Sequence, residues 1–250
     1  MAGEYDKSKY TKKERFLNFW YYNKIYIIFA ALVVLFLLVQ VYKYHHQPKI
    51  GFNVMFFNVN SNVADENGMS DEGRGFVGEF LQSMGIDTKK NAPDTQMHLG
   101  FEVYEDVTED EYTTIQNMGA YVANGDLDML VADESAFTYI AYWEALQDLR
   151  DVLDAETMKK LEPYLFYVDQ TVVDKMADYD YDDAEFHEAR PDPRDPSTME
   201  NPIPVGIYLD NANAKFNENF AIAGGVGVVG IYINSQHPEL CRAFVDYILE

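Results

Sequence analysis

The sequence predicts an α/β fold in which an N-terminal transmembrane helix precedes a mixed sheet with flanking helices. Two observations lead to this prediction. Ile25–Val39 reads IYIIFAALVVLFLLV, an apolar run without a charge. From residue 50 onward, strand-type and helix-type segments alternate, which is the pattern of a sheet covered by helices.

The apolar run, extended to Tyr42, has the length of a membrane span. A helix over residues 25–42 measures about 27 Å, close to the hydrocarbon thickness of a bilayer. Aromatic residues, which favour the headgroup region, flank it at Phe16, Phe19, Trp20, Tyr21, Tyr22, Tyr26, Tyr42 and Tyr44. A cleaved signal peptide is the alternative, but no small-residue cleavage site follows the run.

Basic residues predict the orientation of this anchor. Lys7, Lys9, Lys12, Lys13, Arg15 and Lys24 precede the run, and only Lys43 and Lys49 closely follow it. The positive-inside rule therefore predicts a cytoplasmic tail over residues 1–24, a transmembrane helix over 25–42, a linker over 43–49 and an extracellular domain over 50–250. We expect a single-pass protein of the cell membrane with a cytoplasmic N-terminus.

Charge restricts the partners of the outer domain. Residues 1–49 hold eight Lys/Arg and three Asp/Glu, a balance of +5, so residues 50–250 carry −28 against −23 for the whole chain. A domain this acidic repels phosphate backbones, which excludes nucleic acid as a partner. Its carboxylates either attract cationic ligands or serve solubility alone.

The first half of the outer domain alternates regularly between strands and helices. The predicted elements are a strand over Ile50–Asn60, a helix over Gly75–Met84, a strand over Met97–Tyr104, a helix from the Thr108–Glu111 capping box to Ala123, and a strand over Leu127–Ala132. Strand–helix–strand units of this kind are right-handed and pair their strands in parallel.

The second half is less regular. We expect helices over Asp133–Tyr142, Ala155–Glu162 and His237–Glu250, an amphipathic turn over Leu146–Leu153, and strands over Ile203–Leu209 and Phe220–Ile233. Tyr164–Val173 fits a strand or a helix equally well. Asp178–Pro202 is acidic and holds four prolines, which predicts an exposed excursion. Residues 162–210 could form this excursion or a small second lobe.

Three segments resemble extracellular solute-binding proteins of ABC transporters. They are Gly125–Asp154 (GDLDMLVADESAFTYIAYWEALQDLRDVLD), Ile203–Asp210 (IPVGIYLD) and the C-terminal GIYINSQHPELCRAFVDYIL. The resemblance implies a domain like a periplasmic binding protein, reduced in size because its second lobe is short. It also implies a partner, either an ABC permease or another envelope protein. Family members in Gram-positive cells usually carry a lipid anchor, whereas this chain has a helix.

Several motifs of catalytic or metal sites are incomplete. Gly225-x-Gly227-x-x-Gly230 matches the dinucleotide fingerprint, but valines and isoleucines continue a strand where a helix should begin. Asp178–Asp183 alternates carboxylates as calcium loops do, yet Asp183 stands where such a loop needs glycine, so the run predicts a solvated acidic loop, with weak cation binding as the alternative. Cys241, the single cysteine, lies in an apolar helical pattern as a buried thiol would. We expect no enzyme activity, cofactor or metal.

The best candidate site follows the predicted strands at their carboxyl ends, where open α/β sheets bind ligands. Asp133, Glu134 and Ser135 follow the third strand, Asn58 follows the first, and Tyr208 and Asp210 end the strand at Ile203–Leu209. Acids with an aromatic ring suit a small cationic or amine ligand. Plain helix capping by Asp133 or Ser135 is the alternative.

The sequence therefore favours a membrane-anchored, extracellular, non-enzymatic domain of solute-binding or transporter-accessory type. The alternative is a structural or protein-interaction ectodomain of a cell-envelope complex without a small-molecule ligand.

Overall fold

The computed structural model describes residues 11–46, 49–101, 109–177 and 190–249. The chain divides into two compact units, residues 1–47 and residues 48–250. The capping-box residue Thr108 and the acidic run Asp178–Asp183 lie outside the described residues.

The described part of the first unit is one long helix, α1 (Lys12–His46). It begins at a capping box, in which the backbone N–H of Thr11 donates to Glu14 Oε2 at 2.8 Å. The helix is long and apolar enough to cross a membrane. It extends into residues 43–46, predicted as linker, because no helix-breaking residue occurs before Pro48.

The second unit is an α/β domain with a mixed six-stranded sheet. The strands are β1 (Lys49–Phe57), β2 (Val59–Ser61), β3 (Asn91–His98), β4 (Met129–Asp133), β5 (Leu165–Asp169), β6 (Pro202–Tyr208), β7 (Phe220–Ile222) and β8 (Gly227–Ile231). The order in the large sheet is β3-β1-β4-β8-β6-β5, and β2 pairs with β7 in a small antiparallel sheet. The predicted α/β class with a mixed sheet is confirmed.

The pairing directions bring four strand ends to one edge. β1 is parallel to both β3 and β4. β8 is antiparallel to both β4 and β6, so β6 runs in the direction of β4. The carboxyl ends of β1, β3, β4 and β6 therefore share one edge of the sheet.

Helices cover both faces of the sheet, which separates two hydrophobic cores. The helices are α2 (Arg74–Ser83), α3 (Glu109–Asn124), α4 (Glu134–Ala141), α5 (Leu149–Val152), α6 (Ala155–Leu161), α7 (Gln170–Ala177), α8 (Ala214–Asn219) and α9 (Pro238–Leu249). Side chains of β1 alternate between the cores, with Phe52, Val54 and Phe56 in one and Met55 and Phe57 in the other. α2 and α9 contribute to the first core, and α3 and α4 to the second.

The structure changes two predicted strands and decides one segment whose prediction was left open. The second strand is Asn91–His98 rather than Met97–Tyr104. The ambiguous segment Tyr164–Val173 is a strand followed by a helix. The long strand predicted over Phe220–Ile233 is two strands, because Gly224 and Gly225 adopt φ of +71° and +76° and turn the chain between them.

Residues 162–210 join the main sheet through β5 and β6, which pair antiparallel. The described part of the excursion, residues 190–201, runs back to β6 through the 3₁₀ turn Pro196–Thr198. Asp169 holds this return, because its carboxylate accepts the N–H groups of Glu200 at 2.8 Å and of Asn201 at 3.1 Å.

Candidate functional site

The candidate site residues follow β1, β4 and β6 at the shared carboxyl edge. Ala132 and Tyr208 both pair with Val228 on β8, so the ends of β4 and β6 are two strand spacings, about 10 Å, apart. We name this group of side chains the carboxyl-edge cluster. It comprises Asn58, Asp133, Glu134, Tyr208, Asp210 and Arg194.

The side chain of Asn58 binds the backbone of Phe101. It adopts a left-handed φ of +55° and is buried. Its amide exchanges two 2.8 Å hydrogen bonds with the backbone of Phe101 and donates to Asp133 Oδ1 at 3.3 Å. Asparagine suits this position because it tolerates the left-handed region and offers both a donor and an acceptor.

Asp133 is the N-cap of α4, as the capping alternative predicted. Its Oδ1 accepts the N–H of Ala136 at 3.0 Å. Burial raises the pKa of this carboxyl above its usual range, against the hydrogen bonds from Ala136 and Asn58. Ser135, the next candidate, is exposed in the first turn of α4 and makes no side-chain hydrogen bond within the described residues.

Glu134 and Tyr208 are in direct contact. The Tyr208 hydroxyl donates to Glu134 Oε1 at 2.6 Å, a short bond to a charged acceptor. Tyr208 is fully buried, and burial followed by the bond to Glu134 raises the pKa of its hydroxyl. The phenol therefore stays protonated and acts as a donor. Two of the predicted site residues are thus joined directly by a hydrogen bond.

Arg194 completes the cluster and was missed by sequence reasoning. Its guanidinium carbon lies 3.4 Å from the centroid of the Tyr208 ring, and its Nη1 donates to Asp210 Oδ2 at 3.0 Å. The available signal was the run Asp192-Pro193-Arg194-Asp195, a typical tight-turn sequence. The same edge also holds His98 at the end of β3, with its ring stacked 5.0 Å from Phe57.

A second polar cluster lies away from this edge, where β4 begins. Asp128 is buried and accepts the backbone N–H of Asn53 at 2.8 Å and the Ser235 hydroxyl at 2.6 Å. Its Oδ1 also lies 3.1 Å from His237 Nδ1. The Ser235 hydroxyl donates to the acid and accepts the backbone N–H of His237, whereas a nucleophilic serine would bond to the histidine ring. The cluster therefore anchors the start of α9, and Cys241 beside it is buried as predicted.

Two glycines of the motif, Gly227 and Gly230, lie inside β8, and Gly225 lies in the turn before that strand. A Cβ at Gly230 would lie 2.8 Å from the Phe137 ring, and one at Gly206 on β6 would lie 2.5 Å from it. These glycines let α4 approach the sheet closely. Among the described residues no group of three or more His, Cys, Asp or Glu side chains is placed to hold a metal ion.

Comparison of the chain with protein-family models, with curated proteins and with solved structures finds no match.

Proposed function

We propose that this chain is a membrane-anchored binding domain of reduced solute-binding-protein type, without enzyme activity. α1 is the anchor, and the bias of basic residues toward its N-terminal side supports a cytoplasmic tail and an extracellular domain. The transporter partnership, with an ABC permease or another envelope protein, rests on the sequence resemblance alone.

One observation carries the proposal of a ligand site. Side chains far apart in sequence, from Asn58 to Asp210, meet at the carboxyl edge of one sheet, where α/β folds bind their ligands. The cluster combines the exposed carboxylate of Asp210 and the half-buried one of Glu134 with the buried ring of Tyr208, and carboxylates beside an aromatic ring suit an organic cation. The proposed ligand is therefore a small guanidinium or ammonium compound.

A thermal-shift titration of the full chain in detergent tests this proposal. The panel holds guanidino compounds, polyamines, quaternary ammonium compounds and basic amino acids, with neutral and acidic metabolites for comparison. We expect a cationic compound to raise the unfolding midpoint of the wild type. Asp210→Asn should lose this response, because it removes the exposed carboxylate of the cluster.

Asp126→Asn is the matched control. It removes the same charge at an exposed position just before β4 begins, at the opposite end of that strand. Its response should equal that of the wild type. A response to no compound in the panel would reject the ligand and favour the second candidate.

The second candidate is a structural or protein-interaction ectodomain without a small ligand. It is favoured by the contacts inside the cluster, where polar side chains already pair with one another: Tyr208 donates to Glu134, and Arg194 pairs with Asp210. Under this hypothesis Asp210→Asn lowers stability and no metabolite restores it.

Protease added to intact cells tests the proposed topology. The acidic domain should be degraded from outside. If the domain survives in intact cells and is cut only after lysis, the orientation is inverted, and neither candidate function can be that of an extracellular domain.

A further inference from the structure

Arg194 occupies the position that a cationic ligand would take. Its guanidinium stacks on the buried ring of Tyr208 at 3.4 Å and pairs with Asp210 at 3.0 Å. A cation over an aromatic face with a carboxylate beside it is the arrangement expected for a bound organic cation. The chain itself therefore supplies a planar cation to this edge of the sheet.

The segment that presents Arg194 is held in place without it. Asp192–Asp195 forms a tight turn, in which the N–H of Asp195 donates to the carbonyl of Asp192 at 3.0 Å. The Asp192 carboxylate accepts the N–H of Arg194 at 2.9 Å. The carbonyl of Pro193 accepts the N–H of Tyr167 at 2.9 Å, which fastens the turn to the outer side of β5.

The guanidinium can leave while this turn stays closed, because the turn is held by backbone and Asp192 contacts. The side chain of Arg194 is 42% exposed and that of Asp210 is 41% exposed, so solvent reaches the ion pair. A rotation of the Arg194 side chain would release the Tyr208 face and one Asp210 oxygen. A tethered group competes with free solutes at an effective concentration in the millimolar range.

We propose that Arg194 is a tethered occupant of a guanidinium subsite formed by Tyr208 and Asp210, and that an external guanidinium binds there by displacing it. This inference rests on the proposed function, because it names the ligand class and the internal competitor of the same site. Removing the Arg194 head group vacates the subsite and leaves Asp210 without its partner.

Chemical rescue tests the subsite directly. Arg194→Ala, in the full chain in detergent, should unfold at a lower temperature than the wild type. Methylguanidinium at millimolar concentrations should raise that midpoint along a saturating curve. The wild type should need at least about 10-fold more methylguanidinium for the same rise, because its own side chain must be displaced first.

Two controls separate the subsite from general salt effects. Arg150→Ala removes an exposed guanidinium that pairs with Asp148, two residues before it, and should show no saturable rescue. Arg194→Ala combined with Asp210→Asn should also lose the rescue. If Arg194→Ala does not fold, Arg194→Gln keeps much of the side-chain length and replaces it in the titration.

Two results would overturn the inference: no saturable rescue of the Arg194 variant, or equal responses of variant and wild type. Neither result decides the proposed function, since the metabolite panel on the wild type tests ligand binding independently. If a panel ligand binds the wild type and the Arg194 variant with equal affinity, the proposed binding function stands and the displacement of Arg194 is rejected.

Discussion

Two buried tyrosines allow the Glu134–Tyr208 contact to be measured. Tyr208 and Tyr232 are both fully buried. The Tyr208 hydroxyl donates to a carboxylate at 2.6 Å, whereas the Tyr232 hydroxyl faces the sulfur atoms of Met55 and Met118 at 3.6 and 3.5 Å. A thioether sulfur is a weak acceptor. Replacing each tyrosine by phenylalanine removes the same oxygen and keeps the ring.

The expected costs differ by about 1 kcal/mol or more. A hydrogen bond to a charged group contributes about 1.5–3 kcal/mol, and water can replace part of it at the half-buried Glu134, so Tyr208→Phe should cost about 1.5 kcal/mol. Tyr232→Phe should cost less than about 0.5 kcal/mol. In a domain of about 200 residues these losses lower the unfolding midpoint by about 3–6 °C and by less than about 2 °C.

Tryptophan fluorescence is a suitable probe of unfolding. The chain holds two tryptophans, so a Trp20→Phe background leaves Trp143, which lies in the α/β domain with its ring 4.6 Å from Tyr139, as the reporter. Adding Glu134→Gln completes a double-mutant cycle, whose coupling energy should be about 1 kcal/mol. Equal losses at the two tyrosines, or a larger loss at Tyr232, would refute this reasoning.

Three further predictions concern the rest of the domain. Asp128→Asn should lower the free energy of unfolding in urea by about 3 kcal/mol, because the amide cannot accept every bond of the buried carboxylate, and Asp126→Asn should change it by less than about 0.5 kcal/mol. Burial opposes ionisation of Asp169, but hydrogen bonds from backbone N–H groups outweigh it and lower the pKa of its carboxyl. The stability that Asp169 adds is therefore present above about pH 4 and is lost below it. The urea denaturation midpoints of the wild type and of Asp169→Asn should converge as the pH falls from 6 to 3. A difference between the midpoints that stays constant over this range would contradict the prediction. Burial raises the pKa of the Cys241 thiol to about 12, so iodoacetamide should label it at pH 8 only after unfolding, and rapid native labelling in a mass spectrum would show a reachable thiol.

Local sequence patterns predicted those elements in which the apolar residues of the pattern are the residues that become buried. The strand predicted over Ile50–Asn60 overlaps β1, and the helix predicted over His237–Glu250 matches α9 to within a residue at each end. β1 is buried on both faces over residues 52–57, as its nearly continuous apolar run indicates, and α9 buries apolar side chains at helical spacing, so the pattern and the packing agree.

Prediction failed where backbone geometry or distant pairing decides the structure. The stretch around Gly224 and Gly225 contains no polar turn residue, so its valines and isoleucines indicated one unbroken strand. Arg194 reaches Tyr208 because β5 and β6 pair and because its turn is fastened to Tyr167. No local pattern encodes those pairings.

The two candidate functions make opposite demands on the charge of the carboxyl-edge cluster. Arg194 balances one carboxylate, while Asp133 and Glu134 lie on the same edge and the domain as a whole carries a large negative charge. If the cluster serves stability alone, its own arginine is the best cation for it, and every solute should bind more weakly than that side chain. If the cluster serves recognition, an external cation that gains contacts beyond Tyr208 and Asp210 can outcompete the tethered one. The affinity of an external cation for the wild type, compared with its affinity for Arg194→Ala, therefore distinguishes a role in recognition from a role in stability alone.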